Sequence, residues 1–333
     1  MANKNKSIKL KQDLLTVAKD AKELFNLKTI NLNYVLVLLF IIAAFLVGFL
    51  ANQLRTAKLA QTQTPAPTQQ AAVQQQSGNQ AELTKIQNEV IKKSYTFKIK
   101  WGNLGQRMIA DGVIDKQKFT KAVTGKDSLP QDLDKYLSSD QSQIELTPQN
   151  AQFWVDVLWG LGLANKTQIL EEGPMVEGGQ TANFASTGGW TIGAKNPMQI
   201  YAKYDYIPLT DAQTQRVKDI ASGIYRPCCD NPTSFPDCNH GMAALGLIEL
   251  MVSQNFSDND IYKAVLAFNT YWFPQTYLNT AYYFQQNGKD YSKVSAKEIL
   301  SKTYSSASGS QVITQKVGNL AWPALQGGGS CGA

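Results

Sequence analysis

A chain of 333 residues could hold two domains, but its apolar residues are unevenly spread, and most of the excess falls in one uncharged block near the N-terminus. The formal charge of +6 excludes a nucleic-acid partner once it is divided along the chain. Residues 1–33 hold seven lysines against Asp13, Asp20 and Glu23, Arg55 and Lys58 supply the rest, and the remainder is formally neutral.

Residues 1–33 form a basic leader. Within it Ile8, Leu14, Leu15, Ala18, Ala21 and Phe25 fall near one helical face with lysines elsewhere. That pattern suits a helix on the inner leaflet and equally a solvated helix. Residues 34–50 read YVLVLLFIIAAFLVGFL without a charge. At 1.5 Å per helical residue they cover about 26 Å, and their flanks complete a roughly 30 Å hydrocarbon core. The spacing predicts one transmembrane helix over 34–51. It stands too far from the start, and lacks the small-residue cleavage site, for a removable signal peptide. An uncleaved signal anchor follows. Seven lysines precede the block and only Arg55 and Lys58 closely follow it, so the N-terminus is expected in the cytoplasm and the rest outside.

Residues 52–82 are expected to be a disordered linker, since 59–81 (LAQTQTPAPTQQAAVQQQSGNQA) have neither charge nor aromatic ring. As a coil that stretch reaches on the order of 25 Å. Residues 83–333 are read as a mostly α-helical extracytoplasmic domain. Thr147 with Pro148 opens a segment bearing Phe153, Trp154, Val157, Leu158 and Leu161 at helical spacing. Thr210 with Gln213 and Ser295 with Glu298 read as capping boxes, and Ser257 opens a helix that Pro274 ends. Between them, residues 173–209 form a long glycine- and aromatic-rich loop region with short strands expected near 190–193 and 199–206. Phe184, Trp190, Tyr201, Tyr204 and Tyr206 there suit stacking on a glycan or peptide, or filling of a core.

Chemistry concentrates in RPCCDNPTSFPDCNHG, where Cys228, Cys229, Cys238 and His240 lie within thirteen residues; the remaining cysteine, Cys331, follows Gly327, Gly328 and Gly329. Thiolates with an imidazole are a ligand set for zinc or copper. A helix opening at His240 and Gly241 would keep the ring neutral and the thiols acidic. Two other readings stay open. Cysteines outside the cytoplasm oxidise, so disulfides could brace the loop or staple the tail through Cys331, and adjacent cysteines do not easily share one ion. Thiol catalysis is the third.

Residues 242–252 read as a helix apolar almost all round with Glu249 as its one charge, expected to pair with a lysine or arginine or to reach an edge, or to serve as an acid. With one histidine there is no HExxH site, and no P-loop, GxSxG or EF-hand loop occurs, which disfavours the common enzyme classes.

The stretch IYRPCCDNPTSFPDCNHGMAALGLIELM, with the GGGSCGA ending, resembles membrane-anchored envelope proteins of bacteria and archaea that share a PCC...FPDCNHG motif. Pro227, Cys228, Cys229, Asp237, Cys238 and His240 also give a similarity to PCYCGC-motif lipoproteins, which implies metal binding, although the alternating cysteines and the lipid-bearing cysteine of that family are missing. The resulting expectation is an integral, single-pass membrane protein with a zinc or copper site made by Cys228, Cys229, Cys238, His240 and Cys331. The alternatives are a disulfide-braced domain that contacts an envelope protein or glycan through its aromatic loop, and a thiol- or Glu249-dependent enzyme.

Overall fold

The computed structural model describes residues 69–323, with side chains described from residue 80. The leader, the apolar block at 34–51 and Cys331 lie outside the described residues. Among those described, no helix is long and apolar enough to cross a membrane.

The domain is mostly helical. The main helices are α1 (Gln69–Val90), α2 (Leu104–Ala110), α3 (Lys116–Thr124), α4 (Gln131–Ser138), α5 (Ala151–Ala164), α6 (Asp211–Ser222), α7 (Asn239–Ser253), α8 (Asp258–Trp272), α9 (Pro274–Gln286) and α10 (Ala307–Val317). Strand β1 (Tyr95–Phe97) pairs antiparallel with β2 (Ile144–Leu146), placing Tyr95 opposite Leu146.

The centre of the fold is the contact between α5 and α7. Every residue of α5 except Gln152 is buried, as is every residue of α7 except Ser253. Both are apolar all round, and such a helix is stable only inside. Two glycines let the backbones meet. A Cβ on Gly162 would lie 2.2 Å from the Met242 carbonyl oxygen, and one on Gly246 would lie 2.8 Å from that of Leu158. Around this pair sits the main core, including Trp101, Trp154, Trp190 and Trp272. A smaller core joins Ile86 and Val90 of α1 to Tyr277, Leu278, Ala281 and Phe284 of α9 and to Ile299.

The start signals were partly legible. Thr210 and Gln213 form a reciprocal capping box, Ser257 caps α8, and α8 ends at Trp272 just before Pro274, which opens α9. Ser295 accepts from the Glu298 N–H, but the Glu298 carboxylate turns to Lys289 at 3.3 Å and the box stays half made. Helix α5 begins at Ala151, because Thr147 and Asn150 bond each other's backbone N–H groups and hold 147–150 as a turn.

Two expectations differ from the structure. Helix α1 starts at Gln69, inside the stretch read as linker; glutamine and alanine are good helix formers and no proline follows Pro67 there. No strand forms in 173–209. Single helical turns at Ala185–Gly188 and Pro197–Ile200 form instead, the second closed by an Asn196–Gln199 capping box. The strands lie at 95–97 and 144–146, too short to show an alternating pattern.

Candidate metal centre

The loop between α6 and α7 is anchored on both sides. Thr233 donates through its N–H and its hydroxyl to the Ile224 carbonyl (2.8 and 3.0 Å). Across the loop, Ala307 at the start of α10 donates to the Cys229 carbonyl (3.0 Å), and Ser308 donates to Asp230 Oδ1 through its N–H (2.9 Å) and hydroxyl (2.7 Å). Pro227, Pro232 and Pro236 restrict the chain between these anchors.

Arg226 is the hub of the loop and is only 1% exposed. Its guanidinium donates to the Asn231 carbonyl (2.8 Å), the Phe235 carbonyl (3.1 Å), the Asp237 carboxylate and, through Nε, Cys238 Sγ (3.1 Å). Asn231 donates to the second Asp237 oxygen at 2.7 Å. Gly241 explains itself here: a Cβ at that position would lie 2.5 Å from the guanidinium carbon, so only glycine lets the arginine lie against the first turn of α7.

Cys238 is the N-cap of α7, and its sulfur accepts from the Gly241 N–H at 3.4 Å. The Cys228 and Cys238 sulfurs are 3.2 Å apart, and the sulfurs of Cys228, Cys229 and Cys238 all lie within 4.8 Å of one another. Cys229 also lies 3.6 Å from Asp237 Oδ1. None of the three is at disulfide-bonding distance from another among the described residues.

The electrostatics divide the three sulfurs. Hydrogen bonds from Cys228 and Cys229, together with the Arg226 charge and N–H, hold the Cys238 thiol well below its ordinary value despite its burial. Contacts with Cys229 and Cys238, and burial, hold Cys228 high. For Cys229 the contact with Cys228 lowers the value, but the contact with Cys238 and burial outweigh it and push it up to about 12. Of the three, Cys238 is the sulfur whose surroundings most favour loss of its proton.

His240 does not join this group. Its ring is 1% exposed and packs 4.5 Å from the Phe273 ring centroid and 5.5 Å from that of Trp272. Neither ring nitrogen has a hydrogen-bond partner among the described residues, and burial lowers its pKa to about 4, against a partial offset from the Cys238 charge. Burial keeps the imidazole neutral. Its closeness to Cys238 in sequence does not translate into proximity, because residues two apart on a helix point about 200° from one another.

No protein-family model, curated protein or solved structure matches the chain.

The other sequence-level candidates fall elsewhere. Among the described residues Glu249 finds no lysine or arginine and no edge: it is fully buried, and its Oε2 accepts from Asn165 Nδ2 at 2.9 Å. Burial raises its pKa to about 8, so it stands in the core as a neutral acid. The aromatic segment turns inward. Trp190 donates to the Val113 carbonyl at 2.9 Å and packs edge-on to Trp159 at 5.0 Å, over Gly160, whose absent Cβ leaves the room. Tyr201 donates to the Leu170 carbonyl, and Tyr204 and Tyr206 donate to the carbonyl and carboxylate of Asp111. Phe184 meets Phe235 edge-on at 5.4 Å.

Three participants were missed from sequence: Arg226, Asp237 and the steric role of Gly241. The available signal was Arg226 two residues before Cys228 and Asp237 directly before Cys238 in a proline-rich loop, a place where burial of charge requires a partner.

Proposed function

We propose that this chain binds a soft or borderline metal ion, zinc or copper, through the thiolates of Cys228, Cys229 and Cys238, with Cys331 closing the site from the C-terminal tail. The site would work outside the cytoplasm, on a domain anchored by residues 34–51, and its task would be metal handling. The observation that carries the reading is the approach of three thiol sulfurs to within 4.8 Å of one another. Zinc–thiolate bonds of about 2.3 Å in a tetrahedron need sulfurs about 3.8 Å apart, so small side-chain adjustments suffice.

The surroundings suit the ion. N–H groups of Arg226 and Gly241 aimed at Cys238 are the outer-shell donors that hold a thiolate ligand in place, and the Arg226 charge offsets the excess negative charge of several thiolates around one ion. Cys331 is within reach. Helix α10 leaves the cluster at Ala307, and Trp322 returns beside its middle, donating to Asn279 Oδ1 while Asn279 donates to Thr314. Thr314 is about 10 Å along the axis from Ala307, and the nine residues from Trp322 to Cys331 span at most roughly 30 Å.

A second reading has its own observation: the 3.2 Å approach of Cys228 and Cys238 favours their oxidation to a disulfide in an oxidising compartment. One experiment separates the two. The full chain, purified without chelator or reductant, should hold about one metal per chain by mass spectrometry with its cluster thiols protected from alkylation, and Cys331→Ser should weaken retention. Absence of metal after reconstitution, with Cys228 and Cys238 recovered as a linked peptide, would sink the metal reading and leave the disulfide.

A further inference from the structure

Independently of the cysteines, α1, α8, α9 and residues 288–296 border a half-open cavity of about 1020 Å³. That is at the upper end of small-molecule pockets, which run roughly 300–1,000 Å³. Its floor is the smaller core: Ile86, Val90, Ala281 and Ile299 belong to both. Its rim is basic, with Lys85, Lys92, Lys263, Lys289 and Lys293 against Glu89 and Asp290.

The carboxylates are already engaged. Glu89 lies 4.0 Å from Lys85, Asp290 lies 3.3 Å from Lys293, and Lys289 is held by Glu298 at 3.3 Å. Lys92 and Lys263 have no carboxylate within 4.0 Å among the described residues and face the cavity as uncompensated cations. Tyr291 lines the cavity too. An occupant that satisfies both features needs an apolar body for the floor and an anion for the two lysines.

We infer that this cavity binds a single-chain anionic amphiphile, an acyl chain carrying a phosphate or carboxylate head, with the head between Lys92 and Lys263 and the chain over Ile86, Val90, Ala281 and Ile299. Charge complementarity selects the head. Apolar burial holds the chain.

The test is photolabelling of the full chain with lysophosphatidate bearing a diazirine in its acyl chain, below its micelle concentration, with peptides mapped by mass spectrometry. Saturable labelling in 82–95, 259–270 and 281–299 is expected, with competition by unlabelled lysophosphatidate and by oleate. The double variant Lys92→Glu, Lys263→Glu should need about tenfold more probe for half-labelling, the size expected for two exposed charge contacts. Lys126→Glu, at a residue that does not line the cavity, should match the parent, and melting curves will show whether each variant is folded. Four outcomes would overturn the inference: labelling outside those segments; equal labelling by zwitterionic lysophosphatidylcholine; full competition by inorganic phosphate alone; or an unchanged dose response in the folded double variant.

Discussion

Residues 173–209 and 226–240 look alike in sequence. Both are poor in regular structure, both are broken by glycine or proline, and both carry the residue types from which sites are made. Their fates differ because their polar atoms are satisfied differently. In the first, each aromatic donor finds a nearby carbonyl or carboxylate, and the rings close over α5. In the second, a buried arginine collects backbone carbonyls, a carboxylate and a sulfur, and leaves three sulfurs facing one another with protons to lose. An aromatic cluster gains by burial alone, whereas a thiol cluster around a fixed cation retains chemical capacity. The two segments also touch: the Ser186 N–H donates to the Asp237 carbonyl at 3.1 Å, so the aromatic segment braces the thiol loop.

That contrast can be broken by mutation. Cys238→Ser should have the largest effect, lowering metal affinity at least about a thousandfold, or about 4 kcal/mol. Serine is itself a favoured N-cap, so helix content by circular dichroism should hold. Tight metal retention by this variant would remove the distinction between the segments. Trp190→Ala should do the reverse, costing about 3–4 kcal/mol in urea denaturation while leaving metal affinity within about twofold. Unchanged stability with loss of an envelope partner would show that the segment is a contact surface after all.

A third variant sharpens the comparison on α7, which carries Cys238 at its start and a buried acid further along. Glu249 titrates near 4.5 in an open chain and about 8 in the fold, so folding takes up a proton between those values. Stability is therefore greatest at the acid end and is lost as pH rises through 8. The parent should lose on the order of a few kcal/mol between pH 5 and pH 9. Glu249→Gln should flatten roughly half of that slope, leaving the comparable part due to Asp156, whose burial raises its pKa to about 7. A slope that survives intact would place the linkage in other groups. The smallest effect is expected from His240→Ala, which should change metal affinity less than about threefold in the folded protein by chelator competition, as a residue outside the ligand set. A hundredfold loss would return the imidazole to the site.

Helix existence was largely legible in the chain. Caps at Thr210 and Ser257 and the break at Pro274 act through bonds within a few residues, so local reading finds them. Grouping of the three loop cysteines was half legible. Their sequence spacing pointed to one another, but it also recruited His240, which the turn of α7 sends toward Phe273.

The amino-acid sequence by itself determined the charge division, the uncharged block at 34–50, the mostly helical domain and the thirteen-residue concentration of thiols. These are properties of composition and short-range spacing. Only the tertiary structure decided which aromatics are core, that Glu249 meets Asn165 rather than a cation, and that Arg226 lies beneath Gly241 against Cys238. Each of those outcomes depends on which distant backbone arrives at the group. Burial turns that arrival into a requirement, since a charge or polar atom removed from water must be paired, neutralised or left at a cost.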